Sequence, residues 1–500
     1  MMLPPPRRGL VESIFMPLYP FGAGRVPVRP NASAAFHRTI WRWHFWAGLL
    51  VAPILLMLSL TGALYLFNDE LNDAIYPELR FVAPHDTNVP MSRMIEAALT
   101  AYPGSASRVD MPDTANRSAV VFVQPTGGPP RRVAVDPGTG RVLGSVVYDR
   151  TLVGWADAMH RSILMGVFGE RLVELAVSWA LVLLVTGVIL WWPPGRFTAA
   201  GTLWPRRSGR GRRFWRELHG PVGVWTVVLI GFLIVTGLPW AGVSGPLIHR
   251  VGATLGVGYP PSFRQYNIPH SVPMKAALGD APWTLEDAPL PQSRRPHAAM
   301  PAMPAMDGEH ADHGPETPGM TRDPAVIRGT DRVAAILSAH GWSGSYRLFL
   351  PKGANGVYTV FTYPERPAGQ KTLYIDRYNF RPIGPEVRYA EYGIIGRAVE
   401  SGVQLHMGNY FGRANQLLML IPCIAIWVLT ISGVAMWWKR RPAGRIGAPP
   451  ALSGARVGGL LLSLVAAAIA LPLFGLSLIV IGLLDRALLW GRHRIAIEQG

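Results

Sequence analysis

Residues 41–67 read WRWHFWAGLLVAPILLMLSLTGALYLF. The run carries no charge after Arg42, and it exceeds the ~20 residues with which an α-helix crosses the ~30 Å hydrocarbon layer of a bilayer. It is therefore expected to span a membrane. His44 stands about one turn inside its entry. Ionisable groups within membrane helices usually face the protein interior and mark a path or a ligand site. The alternative is an imidazole at the headgroup level, where aromatic and polar residues gather.

Working outward from this run, the rest of the chain has the same character. Of 500 residues 49% are apolar and only 16% charged, against about a quarter charged in ordinary chains. Seventeen tryptophans suit an aromatic belt at the membrane surfaces. The single cysteine, Cys423, lies in an apolar run, which excludes an intrachain disulfide framework and a cysteine-rich metal site. The first forty residues lack a short apolar core followed by a small-residue cleavage site, so the first span is expected to be retained and to direct insertion.

A net charge of +17 would suit nucleic acid, but the basic residues cluster beside the spans. Arg25, Arg29, Arg38 and Arg42 precede the first; Arg196, Arg206, Arg207, Arg210, Arg212, Arg213 and Arg216 lie between the second and third; Lys439, Arg440, Arg441 and Arg445 follow the fourth. With alternating spans all three groups fall on one side, which the positive-inside rule makes cytoplasmic. No nucleic-acid partner is expected; the bilayer is. The expected order is a cytoplasmic segment 1–39, span 40–67, outer domain 68–170, span 171–192, basic loop 193–218, span 219–243, outer domain 244–405, span 406–438, basic loop 439–456, a fifth span 457–484 containing Pro472, and a tail 485–500. The outer domains would be periplasmic in a Gram-negative cell.

Each outer domain reads as a helix followed by a β-meander. In the first, MSRMIEAALTAYP has helical periodicity and SAVVFVQP and RRVAVDPGTGRVLG read as strands. Pro137 fixes φ in the DPGTG turn, and Gly138 and Gly140 allow positive φ. In the second, DRVAAILSAHGW is the helix, and GVYTVFTYP and KTLYIDRYNFRPI are strands. The hairpins VAVDPGTGRVLG and TLYIDRYNFRPIG resemble the terminal hairpins of PepSY domains. The whole order, over about residues 36 to 445, resembles the PepSY-associated transmembrane proteins, which include inner-membrane ferric-siderophore reductases.

The chain also repeats internally. An offset of 175 places His44 on His219, Gly48 on Gly223 and Thr61-Gly62 on Thr236-Gly237. An offset of 246 places His160 on His406, Gly187 on Gly433 and Trp191-Trp192 on Trp437-Trp438. Phe168-Gly169 and Phe411-Gly412 differ by 243, a slip of nearly one helical turn that would roughly preserve facing. The expected fold is thus an α-helical membrane protein, a four-span bundle from a duplicated (span, PepSY-like α+β domain, span) unit plus a fifth C-terminal span.

Topology puts His44 and His219 at the cytoplasmic level and His160 and His406 at the outer level. Low-spin haem iron takes two axial protein donors, imidazole among them, and facing helices of a bundle can supply one each. Two haems of b type are expected, with His44 and His219 holding the inner one and His160 and His406 the outer one; the resemblance implies two haems as well. His37 competes for the inner site and His249 for the outer, both with a solvated interfacial role as the alternative. Trp41, Trp43, Trp46, Trp215 and Trp225 would line the inner porphyrin or form an interfacial belt. No CxxCH occurs, which excludes c-type attachment.

The expected function is an oxidoreductase that reduces a ferric siderophore, or another metal chelate, on the outer side and releases iron. No GxGxxG follows a strand, so the donor is expected to be separate: a quinol, a reduced flavin or a reductase. Arg161, Asn409, Tyr410 and Arg413 beside the outer histidines would dock the substrate or simply pack. A Pro-rich insert at about 284–321 reads as disordered, yet His297, Met300, Met303, Met306, His310 and His313 within it would suit copper, which makes a copper-related reductase an alternative. Two rivals come from other classes: a haem-free, membrane-anchored PepSY binding or peptidase-regulatory protein, and a transporter. Against the transporter, the spans are read as lacking the carboxylates and broken mid-membrane segment common in ion-coupled sites.

Overall fold

The computed structural model describes residues 32–193, 199–206, 210–266, 271–294, 321–444, 447, 465, 467–481 and 483. Arg25, Arg29, Arg196, Arg207 and Arg445 lie outside the described residues, as do His297, Met300, Met303, Met306, His310 and His313. The longer helices are α1 (Ala32–Leu66), α2 (Met91–Ala101), α3 (Leu152–Ser162), α4 (Gly166–Trp191), α5 (Arg212–Gly237), α6 (Ser244–Thr254), α7 (Pro324–Ala339), α8 (Ile394–His406), α9 (Arg413–Trp438) and α10 (Pro472–Ile481). The chain divides into two compact units, one drawn from Met1–Ala63, Ala158–Leu247 and Leu417–Gly500, the other from Leu64–Asp157 and Ile248–Gln416.

The first unit is helical. α1, α4, α5 and α9 are long and apolar enough to cross a membrane, as expected for four of the five spans. Their contacts rest on small and branched residues: Ala180, Ile230 and Ile234 are buried against Leu55, Leu184, Ile426 and Leu429. Small residues let membrane helices approach closely where burial itself gives little drive. Leu50 and Val228 point outward, 68% and 76% exposed, which suits a lipid-facing surface. Of the expected fifth span, the described residues form the ten-residue helix α10, shorter than a crossing requires; the rest lies outside them. α10 nonetheless packs: Phe474 is fully buried, 5.0 Å from Trp179, whose indole donates to Ser477 at 3.2 Å.

The three-residue slip after the outer histidines is a change of turn, not a continuing helix. α3 passes to α4 through Ile163 and Leu164 at φ 51° and 57°, whereas α8 passes to α9 through Gly408 and Gly412 at φ 81° and 58°. The helices break at both places, so facing is set by these turns and not by helical periodicity.

The second unit carries the strands β1 (Gly104–Met111), β2 (Ala119–Pro125), β3 (Arg131–Val135), β4 (Val142–Val146), β5 (Tyr346–Phe349), β6 (Val357–Phe361), β7 (Lys371–Asp376) and β8 (Val387–Arg388). The two expected small domains are in fact one sheet, in the order β4-β3-β2-β1-β5-β6-β7-β8. The copies join edge to edge, β1 antiparallel to β5 with Val109 opposite Leu348, so each copy covers the edge that the other would leave open. Below the seam, Arg108 and Arg347 both donate to Asp280, at 2.6 and 2.8 Å, and Arg108 also reaches Asp110 at 2.7 Å. Burial pushes the Asp280 carboxyl up, but Arg347 and Arg108 outweigh it and hold it below the usual carboxylate range.

α2 and α7 cover one face of this sheet, with Met94, Ile95, Ala98, Val333 and Leu337 packed on Val109, Val121, Val133, Leu348 and Val360. α7 starts earlier than its periodicity indicates, at Pro324. Pro324 takes a position where the missing N–H costs nothing, and Asp323 caps the helix by accepting from Ala325 N at 2.9 Å. β6 and β7 are buried on both faces, because Phe263, Met274, Leu285 and Ala288 form a second core beneath them. This corrects the insert boundary: Trp283, Thr284, Leu285, Ala288 and Ser293 are buried, so folded structure continues to residue 294. The hairpin turns match across the repeat. Gly140 at φ 75° is answered by Phe380 at φ 60°; Gly138 is not among the positive-φ residues, and instead a Cβ there would run into the His85 ring.

Gly329 lies in the middle of α7, where glycine costs about 1 kcal/mol of helix stability relative to alanine. Its place is explained by the sheet: a Cβ would lie 2.1 Å from the Tyr358 hydroxyl, which is fully buried and donates to Val326 O at 2.6 Å. Gly329→Ala is expected to lower the melting temperature despite its helical gain, because overpacking costs about 1–3 kcal/mol. Tyr358→Phe in the same chain should recover part of the loss, as read by thermal melting in detergent.

Candidate functional site

The first unit gathers three of the four histidines of the repeat, each on a helix and each facing a neighbouring helix. His44, on the fourth turn of α1, and His219, on the second turn of α5, meet with ring centroids 6.3 Å apart and planes at 83°. Both rings are held from behind. His44 Nδ1 lies 2.9 Å from Thr186 Oγ1 on α4, and His219 Nδ1 lies 2.9 Å from Ser432 Oγ and 3.1 Å from Leu429 O on α9. His160, on the last turn of α3, repeats the arrangement with Nδ1 3.0 Å from Thr61 Oγ1 on α1. His44 and Thr61 are far apart on α1, roughly 25 Å at 1.5 Å per residue. His406 closes α8 in the second unit.

A glycine follows each of these hydroxyl residues and packs against the ring. A Cβ at Gly187 would lie 3.3 Å from His44 Cε1, one at Gly433 3.7 Å from His219 Cε1, and one at Gly62 3.1 Å from His160 Cε1. The dipeptides Thr61-Gly62, Thr186-Gly187 and Ser432-Gly433 are therefore seats for imidazoles. In the sequence Thr61, Gly62, Gly187 and Gly433 are landmarks of the repeat with no assigned role, and Thr186 and Ser432 carry none. The available signal was a hydroxyl-glycine pair in each of the four spans, Thr236-Gly237 being the fourth.

The competing histidines are placed elsewhere. His37 is exposed on α1. His249 stacks on Trp283, with centroids 3.8 Å apart, between Glu286 and Asp287 at 3.5 Å each. The tryptophans of the inner level find separate neighbours: Trp41 lies under Arg440, Trp43 against Trp179, and Trp225 against Trp204 while 56% exposed; Trp46 and Trp215 have ring contacts to Phe45 and Phe214 beside them in the chain. Among the outer docking candidates, Asn409 donates to Gln404, the Tyr410 ring meets Phe411, and Arg413 pairs with Glu70, while Arg161 is also engaged. The contacts of Asn409, Tyr410 and Arg413 hold the turn after α8.

One expectation about the spans is overturned. Glu174 is a carboxylate within α4, 2% exposed, and it accepts from Val243 N, Ser244 N and Ser244 Oγ at 2.7, 2.9 and 2.7 Å. All three donors lie at the start of α6, where an anion also meets the positive end of the helix dipole. Its oxygens are committed to a structural tie.

The family model of the PepSY-associated TM region matches residues 41–440. The chain belongs to this family. The match begins just before His44 and ends beyond α9, so the PepSY-associated region contains all four repeat histidines and both halves of the sheet, and α10 lies outside it. No curated protein matches the chain.

Proposed function

We propose that this member of the PepSY-associated TM region family is a b-type di-haem oxidoreductase of the bacterial inner membrane. It takes electrons from a cytoplasmic or quinol donor and reduces a ferric chelate of the siderophore class outside, with the N-terminus cytoplasmic and the sheet periplasmic. The reading is carried by the His44–His219 pair. Two metal–imidazole bonds of ~2.0 Å, extended to the ring centres, require a centroid separation of roughly 6 Å, and the pair stands at 6.3 Å. Nδ1 of each ring is taken by a hydroxyl, which leaves Nε2 as the ring atom able to bind a metal.

The donor set favours haem over a bare ion. Among the described residues no group of three or more His, Cys, Asp and Glu side chains could hold a metal, and haem is the iron centre that asks only two axial donors of the protein. When bound it supplies a one-electron Fe(III)/Fe(II) couple. The protein's part is to fix the two imidazoles, keep water from them by burial in the bundle, and place the second level, at His160, roughly 25 Å along α1. The substrate's Fe(III) gains one electron and leaves oxygen-rich ligands that bind Fe(II) more weakly.

Membranes holding the overproduced protein are expected to show, on dithionite reduction, the Soret and α bands of bis-imidazole b-type haem. Colourless protein from haem-sufficient cells overturns the reading and favours a haem-free PepSY binding protein.

A further inference from the structure

The hydroxyls behind the histidines are already committed elsewhere, and this fixes the direction of their bonds. Thr186 Oγ1 lies 2.6 Å from Val182 O and 3.3 Å from Leu183 O; Ser432 Oγ 2.6 Å from Val428 O and 3.1 Å from Leu429 O; Thr61 Oγ1 2.8 Å from Met57 O and 3.3 Å from Leu58 O. A hydroxyl has one proton, and in each case it is used on the carbonyls of its own preceding turn, as mid-helix Ser and Thr commonly do. Towards the imidazole the oxygen can then only accept. His219 gives the same answer separately, since Leu429 O at 3.1 Å from Nδ1 has no proton to offer.

We propose that Thr186, Ser432 and Thr61 are positioning residues that hold His44, His219 and His160 as the Nδ1–H tautomer, which puts the lone pair of each ring on Nε2 before any metal arrives. Accepting from Nδ1–H also raises the basicity of the ligating nitrogen, which favours the oxidised metal and lowers its potential. The following glycine is part of the same seat at two positions, because a methyl group at Gly62 or Gly187 would press on Cε1, 3.1 and 3.3 Å away, whereas one at Gly433 would meet its ring at ordinary contact distance. The tautomer stands on the hydrogen bonds alone; the effect on potential rests on the di-haem reading.

Two measurements on the full-length chain separate these points. In haem-free protein with isotope-labelled histidine, nitrogen NMR assigned through His44→Gln, His219→Gln and His160→Gln is expected to show Nδ1–H neutral rings at all three positions; Nε2–H rings overturn the proposal whether or not haem binds. In the haem-loaded protein, Thr186→Val and Ser432→Ala are expected to weaken haem binding about 10- to 100-fold and to raise the midpoint potential of one haem only, with Thr186→Ser restoring both. Unchanged affinity and potential in both variants overturn the proposal. A wild-type chain that shows Nδ1–H rings but takes up no haem overturns the di-haem reading and leaves the tautomer assignment standing.

Discussion

His44→Ala and His219→Ala are each expected to abolish the same haem signal, with the other signal retained, and the double variant should lose no more than either single one. The reason is geometric. On the proposed di-haem reading, imidazoles whose centres stand 6.3 Å apart with planes near perpendicular serve one haem together, and removing either would leave it a single axial donor. Losing an outer-shell partner of a metal ligand costs about 10- to 100-fold in affinity, and losing the ligand itself should exceed that, so the variant site should be empty at micromolar haem. His160→Ala should deplete the other signal, since His160 is seated on Thr61 at the far end of α1. The check is the reduced-minus-oxidised spectrum with a haem count per chain. Depletion of different signals by His44→Ala and His219→Ala, or of one signal by His44→Ala and His406→Ala, would refute the level assignment.

The spans were readable because a bilayer leaves the chain little choice. Its thickness sets the length, and every backbone polar group must be satisfied within the helix, so the runs beginning near Trp41 and ending near Trp438 announce themselves. The repeat was readable because aligned histidines, glycines and tryptophans survive at fixed offsets. The fusion of the two β-meanders was not readable: both edge strands look alike in sequence, and nothing local tells Val109 that its neighbour is Leu348, 239 residues on. The same limit hid the seats of the histidines. A threonine in an apolar helix reads as ordinary back-bonding to its own carbonyls, and Thr186 does make that bond; its second role exists only once α1 brings His44 against it. β7 was legible as a strand, but the burial of both its faces was not, since the second cover, around Phe263 and Leu285, comes from a stretch of turns and short helices.

Glu174→Ala is expected to be the most damaging single change in the helical unit outside the histidine sites. The Glu174 carboxylate is the acceptor for two backbone N–H groups and a hydroxyl at the start of α6, all in a region from which water is excluded by burial. Alanine would leave Val243 N and Ser244 N without that acceptor, at about 1–3 kcal/mol for each orphaned group, and would remove the anion from the positive end of α6. Glu174→Gln keeps the size and one acceptor oxygen but turns a donor towards a donor, so its loss should be smaller than that of alanine and still measurable by thermal melting in detergent. Thr186 lies on the same helix three turns farther along, and an intact inner haem spectrum in Glu174→Gln below its melting point would show that the tie is local. The same variant tests the remaining transport reading. A carboxylate that accepts three hydrogen bonds and holds two chain segments together is poorly placed to load and release a proton, so proteoliposomes should show no proton flux that depends on Glu174. A flux present in the wild type and abolished in Glu174→Gln would mean that this carboxylate works as a carrier site, and that its bonds to Val243 and Ser244 open in each cycle.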